Sequence, residues 1–220
     1  MARLSSKESR AKRRRAQSFE SLVQAGLATI AERGLYGTTV EHITEAADVG
    51  KGTFYAHFPS KEELLHHLVR HGFNELIVAG RTALPLNRPP ADRLATLIQA
   101  QLCILSRRRD LVILLHQVRG LLIRQPEERP SLRREYMRYL QFLTEECQQI
   151  LGRPNLGREE ARDLACAIAG FVAGTISFEM LARGGRGLKI SSKGAVNAFA
   201  AGVAARYAAP RRRGNGSRPS

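Results

Sequence analysis

Residues 38–65 read TTVEHITEAADVGKGTFYAHFPSKEELL, and they divide into three short helical phrases with two breaks. Thr38 and Glu41 have the spacing of a capping box, a hydroxyl for a free backbone N–H and a carboxylate reaching back to the cap residue. Val40, Ile43, Ala46 and Ala47 then supply the apolar stripe of a two-turn helix. Asp48-Val49-Gly50 interrupts it, Asp tolerating and Gly freely adopting a left-handed backbone. Lys51 to Phe58 forms a second short helix with Phe54 on its inner side. After Pro59, Ser60 and Glu63 repeat the capping-box spacing and open a third helix.

Two short helices joined by a three-residue break read as a helix-turn-helix. The second helix carries Lys51, Thr53, Tyr55 and His57, whose side chains donate hydrogen bonds of the kind that phosphate oxygens and base edges accept. A surface helical hairpin would also be polar on one side, so the pattern alone admits both.

Working outward, Phe19, Leu22, Val23, Gly26, Leu27, Ile30 and Ala31 recur at helical spacing, so about 14–33 is an amphipathic helix forming the floor beneath the pair. Gly34 caps its C-terminus and Tyr36-Gly37 turns the chain. On the other side, Leu64, Leu65, Leu68, Val69, Phe73, Leu76 and Ile77 extend the third phrase to about residue 82, as a connector. Leu84-Pro85-Leu86-Asn87-Arg88-Pro89-Pro90 cannot stay helical. Five further helices follow at about 91–107, 110–125, 129–151, 158–183 and 192–208. They are separated at 107–110, 125–126, 152–155 and the glycine-rich 184–187. Period-2 alternation is lacking, so the expected fold is all-α: an N-terminal three-helix helix-turn-helix domain and a C-terminal helical domain.

The 220 residues carry a net charge of +15. Residues 1–15 hold seven Lys/Arg against one Glu, and 206–220 hold five Arg and no acid. Basic ends on a folded body suit a polyanion, while solvated tails that aid solubility are the alternative. Expected segments are a disordered basic arm (1–13), a helix-turn-helix domain (14–60), a connector (61–82), a second helical domain (83–208) and a disordered basic tail (209–220).

Cys103, Cys147 and Cys166 are odd in number and widely spaced, which argues against a disulfide framework and a zinc site. His67 and His71 stand at i, i+4, the spacing of two metal ligands, but no third ligand accompanies them, so no metal or other cofactor is expected. No secretory signal and no apolar run of membrane-spanning length is evident, so a soluble cytoplasmic chain with no membrane partner is expected. Enzyme motifs such as GxSxG, HExxH, GxGxxG and the P-loop do not occur.

The last two helices, with ACAIAGFVAGTISFEML and AVNAFAAGVAARYA, are apolar around their circumference and rich in Ala and Gly. Such helices must be buried on all sides, within one subunit or between two.

The stretch AERGLYGTTVEHITEAADVGKGTFYAHFPSKEELL resembles the DNA-binding domain of TetR-type (tetracycline-repressor-like) transcriptional regulators, over about Ala16 to Leu68. Thr44, Asp48 and Gly50 depart from the residues commonest at their positions. The resemblance implies a non-enzymatic, sequence-specific regulator, a repressor, binding double-stranded DNA as a homodimer at a near-palindromic operator. It implies DNA contacts from Thr38, Thr39, Lys51, Gly52, Thr53, Tyr55, His57 and Lys61, and the basic run that ends at Arg14 and Arg15 is expected to reach the backbone or minor groove beside them. It further implies that the last two helices pair with their copies, through Phe171, Gly174, Phe178, Phe199 and Val203. A pocket in the second domain would then take an apolar or amphipathic small-molecule effector. Its candidate lining is Cys103, His116, Gln117, Arg119, Tyr136, Tyr139, Phe142 and Phe178, with Glu145 and Glu179 nearby.

Overall fold

The computed structural model describes residues 2–85, 87–125, 127, 129–153, 156–184 and 193–207, with side chains from Arg10 onward. The expected basic tail 209–220 lies outside them, as do residues 126, 154, 155 and 185–187 of the expected breaks. The described elements are α1 (Ala2–Gly37), α2 (Val40–Ala46), α3 (Lys51–His57), α4 (Lys61–Ala83), α5 (Pro90–Arg107), α6 (Arg109–Arg124), α7 (Pro130–Ile150), α8 (Arg158–Ala182) and α9 (Lys193–Tyr207). Among the described residues there is no strand.

The helix boundaries follow the expected ones closely from α2 onward, but α1 begins at Ala2, where a disordered arm was expected. Residues 2–13 hold three Arg, three Ser, two Ala, two Lys, one Leu and one Glu and lack Gly and Pro, so nothing in them breaks a helix that has already nucleated. The other end of α1 is as expected. Gly34 takes φ 77°, ψ 167°, a conformation open to glycine, and there the helical path ends.

The chain divides into two compact units, 1–76 with 104–138, and 77–103 with 139–220. This division falls inside α4 and groups α6 with the helix-turn-helix, whereas the sequence suggested a boundary at about residue 83. The reason is that α6 belongs to the core that α1 floors.

In the first unit, Leu22, Leu27 and Ile30 of α1, Ile43 of α2, Phe54 of α3, Leu64 and Val69 of α4, and Leu111, Leu114 and Val118 of α6 are all buried. Polar ties lock its edges. Arg108 donates through Nη1 to both Glu75 oxygens at 2.9 and 3.0 Å. His66 Nε2 lies 3.1 Å from Glu135 Oε1, whose other oxygen accepts from Arg138 Nε at 2.9 Å. Gly72 lets α4 meet α6, since a Cβ there would lie 2.3 Å from Leu111 Cδ1.

The second unit buries Leu94, Leu97 and Ile98 of α5, Phe142, Leu143 and Cys147 of α7, and Ala165, Ile168, Val172 and Ile176 of α8. The stripe Ala161, Leu164, Ala165, Ile168, Val172 and Ile176 covers only one side of α8. Its other side exposes Cys166, Ala167, Gly170, Phe178 and Leu181. By length and composition alone α8 is apolar enough to cross a membrane, where no such run was expected, but the core helix of a soluble protein passes the same test.

Gly72→Ala should force Leu111 out of its packed position. A loss of about 1–3 kcal/mol is expected, the ordinary cost of overpacking a core, measurable by urea unfolding followed by far-UV circular dichroism.

Candidate nucleic-acid interface

The entry to α2 is capped one residue later than the Thr38/Glu41 spacing suggested. Thr39 is the N-cap: its Oγ1 accepts from His42 N–H at 3.3 Å, and His42 Nδ1 accepts from Thr39 N–H at 3.3 Å. Thr38 is fully buried and its hydroxyl donates to Gly34 O at 2.7 Å, with Thr29 O at 3.3 Å. It satisfies carbonyls left open where α1 ends, and it is closed to any partner. Glu41, freed from the cap, pairs with Lys51 at the start of α3. That contact holds the Glu41 carboxyl down to about 2 and raises the Lys51 amine. Both side chains are more than half exposed, so the pair orients more than it stabilises.

α2 ends in a Schellman motif. Val49 N–H donates to Thr44 O at 3.0 Å and Asp48 N–H to Glu45 O at 3.2 Å, while Asp48 takes φ 51°. Thr44 is buried, its hydroxyl given to Glu41 O at 3.0 Å. Gly50 then caps α3 with its backbone alone.

On α3, Phe54 is wholly buried and Phe58 nearly so, while Lys51, Gly52 and Tyr55 face outward and Thr53 is half-buried. Tyr55 is 55% exposed, its ring set edge-on to Phe54. A Cβ on Gly52 would touch nothing within 4 Å. Arg14 and Arg15 are exposed on α1.

Two expected contact residues are engaged elsewhere. His57 turns inward: its Nε2 is 2.9 Å from Ser18 Oγ and its ring stands edge-on to Phe19. Ser18 gives its own proton to Arg15 O at 3.0 Å, so the imidazole must donate. Burial and the Arg15 charge lower the His57 pKa, and burial chiefly lowers that of His67, which also meets Phe19 edge-on. Lys61 donates to Leu35 O at 3.1 Å and Thr38 O at 2.8 Å, pinning α4 to the corner between α1 and α2. Its amine, expected on phosphate, is committed to backbone carbonyls. At the same corner stands Tyr36, expected only as part of a turn and 72% exposed. A large aromatic between two Gly-flanked turns was the available signal.

The expected effector residues are not gathered in one unit. His116, Gln117, Arg119 and Tyr136 belong to the first, and Cys103, Tyr139, Phe142 and Phe178 to the second. Gln117 is a clamp on α1: its Oε1 accepts from Leu35 N–H at 2.8 Å and its Nε2 donates to Ile30 O at 3.4 Å. His116 Nδ1 is 2.9 Å from Val112 O, Arg119 is exposed, and Tyr136 donates to Leu115 O at 2.5 Å. In the second unit, Tyr139 and Phe142 are buried, while Cys103 and Phe178 are exposed. Burial pushes both tyrosine hydroxyls above their usual range. Of the expected dimer residues, Phe171 and Phe199 stack on one another at 4.6 Å, Gly174 and Val203 are half-buried, and Phe178 stands 73% exposed. His71 Nδ1 pairs with Glu75 at 2.9 Å.

A short helix anchored by one buried phenyl, presenting an open glycine and an exposed tyrosine beside a basic α1, gives residues 38–58 the geometry of a helix-turn-helix. Residues 22–68 match the family of bacterial regulatory proteins, tetR family. Over those residues the chain carries a tetR-type DNA-binding domain.

Among curated proteins, it is 37% identical over 79 residues to the HTH-type transcriptional repressor KstR2 of Mycobacterium tuberculosis, covering 36% of this chain and 40% of that one. With the HTH-type transcriptional repressor DhaR of Mycobacterium sp. (strain GP1) it shares 38% over 76 residues, covering 34% and 38%. The matches thus span about two fifths of those relatives.

Among solved structures, FadR from Bacillus subtilis in complex with stearoyl-CoA superposes with a TM-score of 0.68 at 20% identity, over 83% of this chain and 97% of that one. The ketosteroid transcriptional regulator KstR2 of Mycobacterium tuberculosis gives 0.60 at 21%, over 90% and 96%. At such identities the likeness establishes the fold.

Lys61→Met should remove two charge-assisted hydrogen bonds and lower stability by about 1–3 kcal/mol in chemical denaturation. A residue used only for phosphate would leave stability unchanged and reduce the salt slope of DNA binding by about one.

Proposed function

We infer that this protein is a sequence-specific DNA-binding repressor that clamps a near-palindromic operator as a homodimer and is modulated by a small-molecule effector. The observation that carries the reading is Gly52. Glycine at an exposed helical position weakens a helix by up to about 1 kcal/mol relative to alanine, and among the described residues nothing stands within 4 Å of where its Cβ would be. A surface approaching the backbone closely does need it, and the major groove is such a surface. Tyr55, Thr53, Thr39 and Lys51 surround it, Lys51 exchanging Glu41 for phosphate, with Arg14 and Arg15 on the adjoining backbone. This assigns DNA binding to residues 14–60, the connector to 61–82 and the effector and dimer functions to 83–208.

The dimer reading is supported by the uncovered apolar side of α8 and by Ala198, Ala201 and Gly202, exposed on α9. Small residues permit close helix approach, and a second copy buries this face as well as a bilayer would. Two-fold pairing sets the recognition helices about 34–36 Å apart, one DNA turn. An apolar or amphipathic effector is supported by the Leu/Ile-rich second unit and by the stearoyl-CoA complex of the structurally similar FadR. The site of action is the cytoplasm, where the operator is.

Selection from random duplexes at about 150 mM salt tests this first: an enriched near-palindrome is expected, and uniform retention lost with salt would leave only a DNA-coating protein. Against the selected site, Gly52→Ala should lose at least about tenfold in affinity while unfolding no earlier than the wild type. Alkylation reads the interface. Cys147 is buried, its thiol pushed up to about 12, and should stay unlabelled in the native protein. Cys103 should label throughout, and Cys166 should label in dilute monomer but not in the dimer.

A further inference from the structure

Gln101 of α5 is wholly buried, and only half of its amide is satisfied. The Tyr139 hydroxyl, itself buried, donates to Gln101 Oε1. Gln101 Nε2 has no acceptor among the described residues. Around it the second unit is apolar, with Leu97, Ile98 and Leu102 on the same helix and Phe142 and Leu143 following Tyr139 on α7. A leucine would pack at this position without a stranded donor. A buried amide kept at a cost to stability marks a place where something else accepts its proton.

A second stranded donor lies on the same helix. Arg93 Nε is buried and likewise lacks an acceptor among the described residues. Positions 93, 97 and 101 are spaced i, i+4, i+8, which sets them on one ridge of α5. The helical rise separates Arg93 from Gln101 by about 12 Å, with Leu97 between them.

We propose that this ridge of α5 seats the effector, which is an elongated, mainly apolar molecule with an anionic end on Arg93 and a carbonyl oxygen accepting from Gln101 Nε2. The proposal rests on the effector reading above and names the chemistry of its ligand. Tyr139 is the positioning residue, since its hydroxyl occupies Oε1 and turns the amide hydrogens toward the ligand. A Cβ on Gly80 of α4 would lie 2.8 Å from Phe142 Cζ and 2.9 Å from Leu97 Cδ1. A ligand on the ridge therefore displaces Phe142 and, with it, the surface on which this end of α4 rests.

The test uses the full-length protein and three probes, octadecanoate, 10-oxooctadecanoate and 10-hydroxyoctadecanoate, titrated by calorimetry. The keto oxygen of the second stands about as far from the carboxylate as Gln101 does from Arg93. Wild type should bind the keto acid about tenfold or more tighter than octadecanoate, because a site built around a donor discriminates against a ligand that leaves it unpaired.

Gln101→Leu with Tyr139→Phe removes both polar groups together, so it should unfold no earlier than wild type and lose the keto preference. Arg93→Met should weaken all three probes alike. Equal binding of keto acid and octadecanoate by wild type would overturn the Gln101 anchor and leave the effector reading standing. Preference for the hydroxy acid over the keto acid would overturn the carbonyl assignment. An Arg93→Met variant with unchanged affinities would overturn the anionic end. Failure of all three probes to bind would overturn the anchor and an amphipathic effector together.

Discussion

A seven-residue helix does not persist alone in water, because nucleation costs more than so few hydrogen bonds return. α3 therefore exists only as far as something holds it, and Phe54 is what holds it. Its ring is fully buried and flanked by Tyr55 and Phe58, and Phe58 stacks on Phe19 of α1 at 5.3 Å. With one side of the helix fixed in this way, the other is free to carry glycine, threonine and tyrosine chosen for what lies outside. The Schellman turn at Asp48 and the Glu41–Lys51 pair set the angle at which that outer side is presented.

The same economy governs the corner where α1 stops. A helix end leaves carbonyls without partners, and a buried one must find them. Thr38 reaches back to Gly34 and Thr29, Lys61 bridges Leu35 and Thr38, and Gln117 takes the Leu35 N–H and the Ile30 carbonyl. Three side chains that look like ligand or phosphate contacts by type are thus spent on the backbone. What reaches the surface there is Tyr36. The corner is rigid for this reason, and α2 and α4 leave it in fixed directions.

α8 and α9 obey a different rule. Their Ala/Gly content lowers side-chain bulk on every face, so the chain's own core claims one stripe of α8, and the opposite face, with Cys166, Gly170 and Leu181, stays uncovered. Such a face is a demand for a partner helix, and in the proposed two-fold dimer a second copy of the same surface would meet it.

What the sequence determined by itself was local. Apolar spacing of three and four residues located the helices from α2 to α9 within about two residues, because backbone hydrogen bonding and amphipathic burial act over one turn. Gly34 and Asp48 announced their turns because few residues take a positive φ cheaply. Phe54 was legible as an anchor for the same reason of spacing. The tertiary structure alone decided which polar atom meets which. Thr38 and Thr39 are equivalent as caps until one is buried. His57 belongs to Ser18, thirty-nine positions away, and Gln117 to a carbonyl eighty-seven positions away. The unpaired amide of Gln101 is likewise invisible in a helical stripe. A side chain's type states what bonds it can make, and only the packed chain states which of them remain to be made.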